Sequence, residues 1–101
     1  NCTAYGCADN VSIGSGRCGI TVRNCLIDSA TDDGIGAGGA IAGPADIDYN
    51  NFNGNSTDVE NVSKGANTTS DDPGFTDAAG GNFTTGAAVQ DNGLGIIYGV
   101  S

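Results

Sequence analysis

The side chains with chemical capacity in this chain are carboxylates, thiols and amides, because it holds no His, Met or Trp. Asp46 and Asp48 stand two apart in an alternating stretch and so share one strand face, where a carboxylate pair can coordinate a hard cation or polarise a sugar. Without His or a second strong base no acid–base pair is assigned, and the two acids read as solvent-facing partners of an alternating strand. The Gly-rich run DDGIGAGGAIAGP lacks the Lys-Ser/Thr ending of a phosphate loop, and no helix is expected after it. We read its Asp32-Asp33-Gly34-Ile35 as a turn feeding a short inward strand. No catalytic residue, metal site or cofactor is expected.

The four cysteines, Cys2, Cys7, Cys18 and Cys25, show neither a Cys-x-x-Cys pair nor a His that would mark zinc. Disulfides in an oxidising compartment are the expectation. Asn1, Asn10, Asn55, Asn61, Asn67 and Asn82 each open an Asn-x-Ser/Thr sequon. About two would arise by chance from this Asn, Ser and Thr content, so the six are candidate glycan sites of a secreted or cell-surface protein.

The elements that must position these residues follow from a weak internal repeat. Ile20-Thr21-Val22-Arg23-Asn24-Cys25 overlays Ile47-Asp48-Tyr49-Asn50-Asn51-Phe52, and Asn1-Cys2 overlays Asn24-Cys25. The two offsets, Ile20 to Ile47 and Asn1 to Asn24, each fit one coil of a β-helix, and their inequality places insertions in turns. Within each unit apolar residues alternate, which sends one set of side chains inward and the other to solvent. Arg23-Asn24 and Asn50-Asn51 break the alternation and mark corners, where Asn tolerates left-handed backbone. Residues 6–19 and 29–44 read as Gly- and Asp-rich loops, and residues 53–70 as a long polar surface excursion. Residues 94–100 turn apolar again, with Leu94, Ile96, Tyr98 and Val100 on one strand face.

If Cys2 and Cys25 are equivalent in adjacent coils, their Cα atoms lie about 4.8 Å apart, within reach of a disulfide. Cys7 and Cys18 are then left to close the loop between them. Two free thiols stacked in an apolar core are the alternative for Cys2 and Cys25.

With 101 residues there is room for one core, and 18 Gly with few helix formers favour short strands joined by turns. The net charge of -9 and three scattered cations, Arg17, Arg23 and Lys64, disfavour nucleic acid and anionic membranes as partners. The acids are read as serving solubility. No apolar run is long enough to cross a membrane as a helix, so no membrane insertion is expected.

The run ITVRNCLID at residues 20–28 resembles the strand-turn-strand unit of pectate-lyase-like right-handed parallel β-helices of bacterial surface proteins. The run DPGFTDAAGGNFTTGAAVQDNG at residues 72–93 resembles the segment that closes such repeats, matching at Asp72, Pro73, Phe75, Asp77, Phe83, Asp91 and Gly93. Its ending departs from that pattern, with Ala87-Ala88 in place of Ser-Pro and Val89 or Gln90 in place of Ile. The resemblance implies architecture and leaves activity open, since lyases, adhesins and structural proteins share the scaffold. Lyases of this group use calcium and an Arg or Lys base, and Arg23 is the base candidate that falls on an expected strand, at a corner.

The expected fold is all-β: a right-handed parallel β-helix of three to four coils with long polar loops, occupying residues 1–93, then a C-terminal apolar strand at residues 94–101. The expected function is that of a non-enzymatic extracellular structural protein, a glycosylated subunit of a surface filament or sheath. It would assemble head-to-tail as a homo-oligomer by donating the last strand to a neighbouring subunit. The alternative is a fragment of a carbohydrate-binding or polysaccharide-lyase-type β-helix.

Overall fold

The computed structural model describes residues 2–16 and 19–86. Eight short strands follow one another: β1 (Thr3–Tyr5), β2 (Val11–Ile13), β3 (Ile20–Arg23), β4 (Leu26–Asp28), β5 (Asp33–Ala37), β6 (Ala45–Asp48), β7 (Asn51–Asn53) and β8 (Thr57–Glu60). The described residues contain no helix. The chain visits three sheets in rotation, ordered β1-β4-β7, β2-β5-β8 and β3-β6, and every neighbouring pair of these strands is parallel. The architecture is therefore all-β and of the parallel β-helix-like class.

Register stacks like on like. Ala4, Ile27 and Phe52 align in the first sheet, Val11, Ile35 and Val59 in the second, and Val22 and Ile47 in the third. Ile27, Ile35, Ile47 and Phe52 form the buried core, with Val11, Ile13, Val22, Cys25, Ala45, Val59 and Val62 packed around it. Alternation turns Leu26 to the opposite face from Ile27, yet it is also buried, because Phe75 packs over it.

Corners separate the sheets. Asn24 and Tyr49, one residue beyond the register pair Arg23 and Asp48, both hold left-handed backbone, at φ 56° and 55°. Gly6, Ser29 and Gly54 repeat this one residue after the register set Tyr5, Asp28 and Asn53, at φ 70°, 56° and 65°. That conformation costs a non-Gly residue about 1–2 kcal/mol, so Ser29 and Tyr49 depend on their surroundings in a way that Gly6 and Gly54 do not.

Three expectations need correction. The first is register: β3 and β6 set Ile20 beside Ala45 and Val22 beside Ile47, whereas the sequence overlay set Ile20 on Ile47. A shift of two leaves every side chain on its original face, so alternation accepts either register. The offset that relates Cys2 to Cys25 is the one observed, since Thr3 pairs with Leu26. Residues 53–70 are not one surface excursion: they include β8, paired with β5, and a further pass beside β6 and β7. In that pass Gly65 N donates to Ile47 O at 2.7 Å, Phe52 N to Thr69 O at 2.9 Å and Thr69 N to Asn50 O at 3.0 Å. The expected loop at residues 6–19 likewise contains β2, whereas β5 is the short inward strand expected at Asp32-Asp33-Gly34-Ile35.

The DPGF segment lies against the outer face of the first sheet. Gly86 N bonds to Pro73 O, Asp77 and Asn82 form an antiparallel bridge, and Phe75 meets Tyr5 and Phe83 edge-on at centroid distances of 5.9 and 5.2 Å. The expected strand of Leu94, Ile96, Tyr98 and Val100, with its boundary after residue 93, lies outside the described residues. So do Asn1, Arg17, Cys18 and residues 87–93.

Candidate functional site

The residues with an enzymatic reading, Arg23, Asp46 and Asp48, do come together on the outer face of β3 and β6. Arg23 grips Asp46 through Nε to Oδ2 at 2.8 Å and Nη2 to Oδ1 at 3.1 Å, and its guanidinium stands 5.3 Å from the centre of the Tyr49 ring. The hydrogen bond to Asp46 raises the Arg23 pKa further, so Arg23 stays protonated and cannot serve as a base. Asp48 accepts Asn67 N at 2.8 Å, Asn67 Nδ2 at 3.0 Å and Tyr49 N at 3.0 Å. Those bonds, led by the Asn67 side chain, hold its carboxyl below the ordinary value. These are structural contacts: they fix the left-handed corner at Tyr49 and anchor residues 65–67 beside β6.

A carboxylate with a lowered folded pKa contributes stability that is present above its unfolded pKa and is lost as pH falls through the folded value. Wild type is therefore expected to lose more stability than Asp48→Asn on acidification from about pH 5 to about pH 2. Urea midpoints across that range check this; parallel curves would remove Asp48 from the acid response.

Cys2 and Cys25 each precede a register partner, Thr3 and Leu26, and Leu26 N bonds to Cys2 O at 2.8 Å. Cys2, Cys7 and Cys25 stand as thiols in the structure. Cys25 packs against the core with its Sγ 3.2 Å from Arg23 O, whereas Cys2 is exposed. The expected Cys7–Cys18 pairing lies outside the described residues, because it needs Cys18.

The sequon asparagines divide into two groups. Asn55 lays its amide across a corner, Oδ1 accepting Ala30 N at 2.9 Å and Nδ2 donating to Ile27 O at 3.0 Å and to Asp58 Oδ1 at 3.2 Å. Asn10 does the same one circuit earlier, Oδ1 accepting Cys7 N at 3.0 Å and Nδ2 donating to Ala4 O at 3.2 Å and Asp28 O at 2.8 Å. Asn50, outside any sequon, clamps the other corner between Cys25 N at 3.0 Å and Val22 O at 2.8 Å. In all three the amide joins a carbonyl to an N–H on the far side of a left-handed residue.

Both Nδ2 hydrogens of Asn10 and Asn55 are thus engaged in the fold, and attaching a glycan there would break a corner bond. Asn61 also uses its Nδ2, on Ala37 O and Glu60 Oε1, and Asn67 bonds Asp48. Asn82 is exposed and uses its Oδ1, which accepts from the Thr84 N–H and hydroxyl.

Two groupings escaped the sequence reading. Tyr5, Phe75 and Phe83 form an aromatic trio, of which Tyr5 and Phe83 are exposed. Asp9, Asp32 and Asp33 each place a carboxylate oxygen within 4.8 Å of the others, and Asp33 is only 4% exposed. Glu60 is in register with Gly36, and hydrogen bonding to Asp33, then the charge of Asp33, raises its pKa. Gly36 leaves the room, since a Cβ there would lie 2.9 Å from Asp33 Oδ2 and 3.1 Å from Asp9 Oδ2. The available signal was spacing: Asp9 and Asp33 are as far apart in sequence as the β2–β5 register partners Val11 and Ile35.

Comparison of the chain with protein-family models, with curated proteins and with solved structures returns no match.

Proposed function

We propose that this chain is a non-enzymatic structural protein of the cell exterior, a right-handed β-helix of three to four coils that extends head-to-tail into a filament or sheath. The observation that carries this is the asymmetry of its two ends. β1, β2 and β3 are the outer strands of all three sheets at one end of the stack. At the other end, residues 65–71 run beside β6 and β7, with Thr69 bridged to Asn51 and the Asn51 amide holding both N and O of Asp71. An open parallel edge is a template for another strand, and an end that differs from its opposite supports a polar, head-to-tail contact over a symmetric pair. The engagement of Arg23 with Asp46 also weighs against lyase chemistry on this chain.

The expected result is filaments in negative stain of the full chain, and their loss when residues 94–101 are deleted. A second variant tests the acceptor end. Cys2 O and Gly6 N bond toward β4, so alternation turns the N–H of Thr3 and Tyr5 outward. Thr3 is exposed, and Thr3→Pro removes one outward donor without touching the core. We expect that variant to stay monomeric. Wild type that remains monomeric at every concentration, or a truncation that polymerises normally, would overturn the reading.

The second reading, a carbohydrate-binding part of a longer β-helix, is favoured by the aromatic trio, because exposed Tyr and Phe rings supply apolar surface for sugar rings. A Tyr5→Ala, Phe83→Ala variant that loses retention on an acidic-polysaccharide column would favour this reading over the first. Glycans, where attached, are expected on Asn82 ahead of Asn10 and Asn55, which intact mass and peptide mapping of native material would show.

A further inference from the structure

We propose that Lys64 and Asn55 become joined by an isopeptide bond between their side chains, with Asp58 moving the protons. One carboxylate touches both partners: Lys64 Nζ donates to Asp58 Oδ2 at 2.8 Å, and Asn55 Nδ2 donates to Asp58 Oδ1 at 3.2 Å. Amine and amide thus meet across a single proton acceptor, the arrangement needed to exchange one amide nitrogen for another. The Lys64 head group also stands 5.3 Å from the centre of the Phe52 ring, which holds it against the edge of the core.

The backbone fixes all three residues without help from their side chains. Ser56 N donates to Ala30 O at 3.1 Å and Thr57 N to Asp32 O at 2.9 Å, which ties the chain between Asn55 and Asp58 to the coil before it. Next to Lys64, Gly65 N donates to Ile47 O at 2.7 Å. The Asn55 amide is itself aimed, since its Oδ1 accepts the Ala30 N–H at 2.9 Å and its Nδ2 also donates to Ile27 O at 3.0 Å. Reactants held in one geometry avoid the entropy loss of a bimolecular encounter.

Asp58 takes a proton from the Lys64 ammonium, and the freed Nζ lone pair adds to Asn55 Cγ. Negative charge then gathers on Oδ1, where the Ala30 N–H already points and stabilises it. Asp58 passes its proton to Nδ2 and takes a second one from the added nitrogen. The Cγ–Nδ2 bond breaks, and ammonia leaves with that second proton as ammonium. One C–N bond forms as another breaks, so the step needs no oxidant and no activating group. The product gives up the hydrogen bond from Nδ2 to Asp58, and keeps Oδ1 for the Ala30 N–H and one N–H for the Ile27 carbonyl.

The intact mass of the full chain, reduced and produced without glycans, tests this, with the folding of each variant checked by circular dichroism. Folded wild type is expected to weigh about 17 Da less than its sequence, the mass of one ammonia. A lysine-specific protease should leave it uncut after Lys64 and release a branched peptide that contains Asn55. Lys64→Arg keeps a cation beside Asp58 and should show the full mass. That variant separates the cross-link from cyclisation of Asn53 onto Gly54, which also expels ammonia but needs no lysine. In Asp58→Asn, followed over time after dilution from urea, cross-linking should be about a hundredfold slower. Wild type that stays at full mass through prolonged incubation in the folded state, a mass loss that persists in Lys64→Arg, or an Asp58→Asn variant that reacts at the wild-type rate would sink the proposal. The outcome is independent of whether the chain forms filaments.

Discussion

Phe52→Ala is expected to destabilise the folded chain by about 3–5 kcal/mol, the cost of removing a fully buried aromatic ring. Phe52 is 1% exposed, aligns with Ile27 in the first sheet and joins Ile27, Ile35 and Ile47 in the larger core cluster. Each of the three sheets contributes to that cluster, so the cavity left by the ring would open beneath all of them. Neighbouring strands are held in register by ladders on either side, which limits how far they can collapse into the space. The Lys64 ammonium, 5.3 Å from the centre of the ring, would also lose its partner surface. A domain of this size has a total stability of about 5–15 kcal/mol, so the variant should lose a large share of it. The control is Phe83→Ala. That ring is 37% exposed, and its loss should cost much less. Urea midpoints for the two variants check this, and equal losses would show that the core does not lie between the three sheets.

The core was legible in the sequence because its signal is local. Val22 and Ile47 stand in alternating stretches, and period two is enough to send them inward. Register was less legible. An overlay of Val22 on Tyr49 keeps the alternation as well as Val22 on Ile47 does; what distinguishes them is the left-handed corner shared by Asn24 and Tyr49, and Tyr gives no hint of that backbone. β8 was obscured because its apolar inward residue is Val59 alone, set among Asp58, Glu60 and the flanking Asn55 and Asn61.

The site residues were harder still. An Asn that accepts a glycan and an Asn that clamps a corner are the same letter, and the Ser or Thr two positions on does not tell them apart. The carboxylates of Asp9 and Asp33 meet only because the second sheet places β5 beside β2, a contact that topology makes between segments distant in sequence. Arg23 and Asp46, by contrast, were visible as candidates for chemistry, and the pairing of β3 with β6 turned them into an ion pair.

The second large effect concerns such a clamp. Asn50→Ala is expected to cost about 1–3 kcal/mol, because it leaves the Cys25 N–H unpaired and takes one donor from the Val22 carbonyl, which the β3–β6 ladder also pairs. Asn50 is 1% exposed, so water has little access to replace the lost bonds. The clamp also holds Asn24 in its left-handed conformation between the third sheet and the first, and without it the corner is free to relax. Asn50→Asp should fare no better. It keeps an acceptor for Cys25 N but brings a second acceptor against the Val22 carbonyl, with a charge that has no counter-ion there. Asn55→Ala, at a half-buried position, should cost less, since water can reach the freed groups. Amide hydrogen exchange separates a clamp from a merely well-packed side chain. Asn50→Ala should deprotect the Cys25 amide first, and Asn55→Ala the Ala30 amide, each ahead of the core strands. If either variant instead loosened all amides equally, or if Asn50→Ala fell within the roughly 0.5 kcal/mol typical of neutral surface changes, the asparagine would be a passenger at the corner.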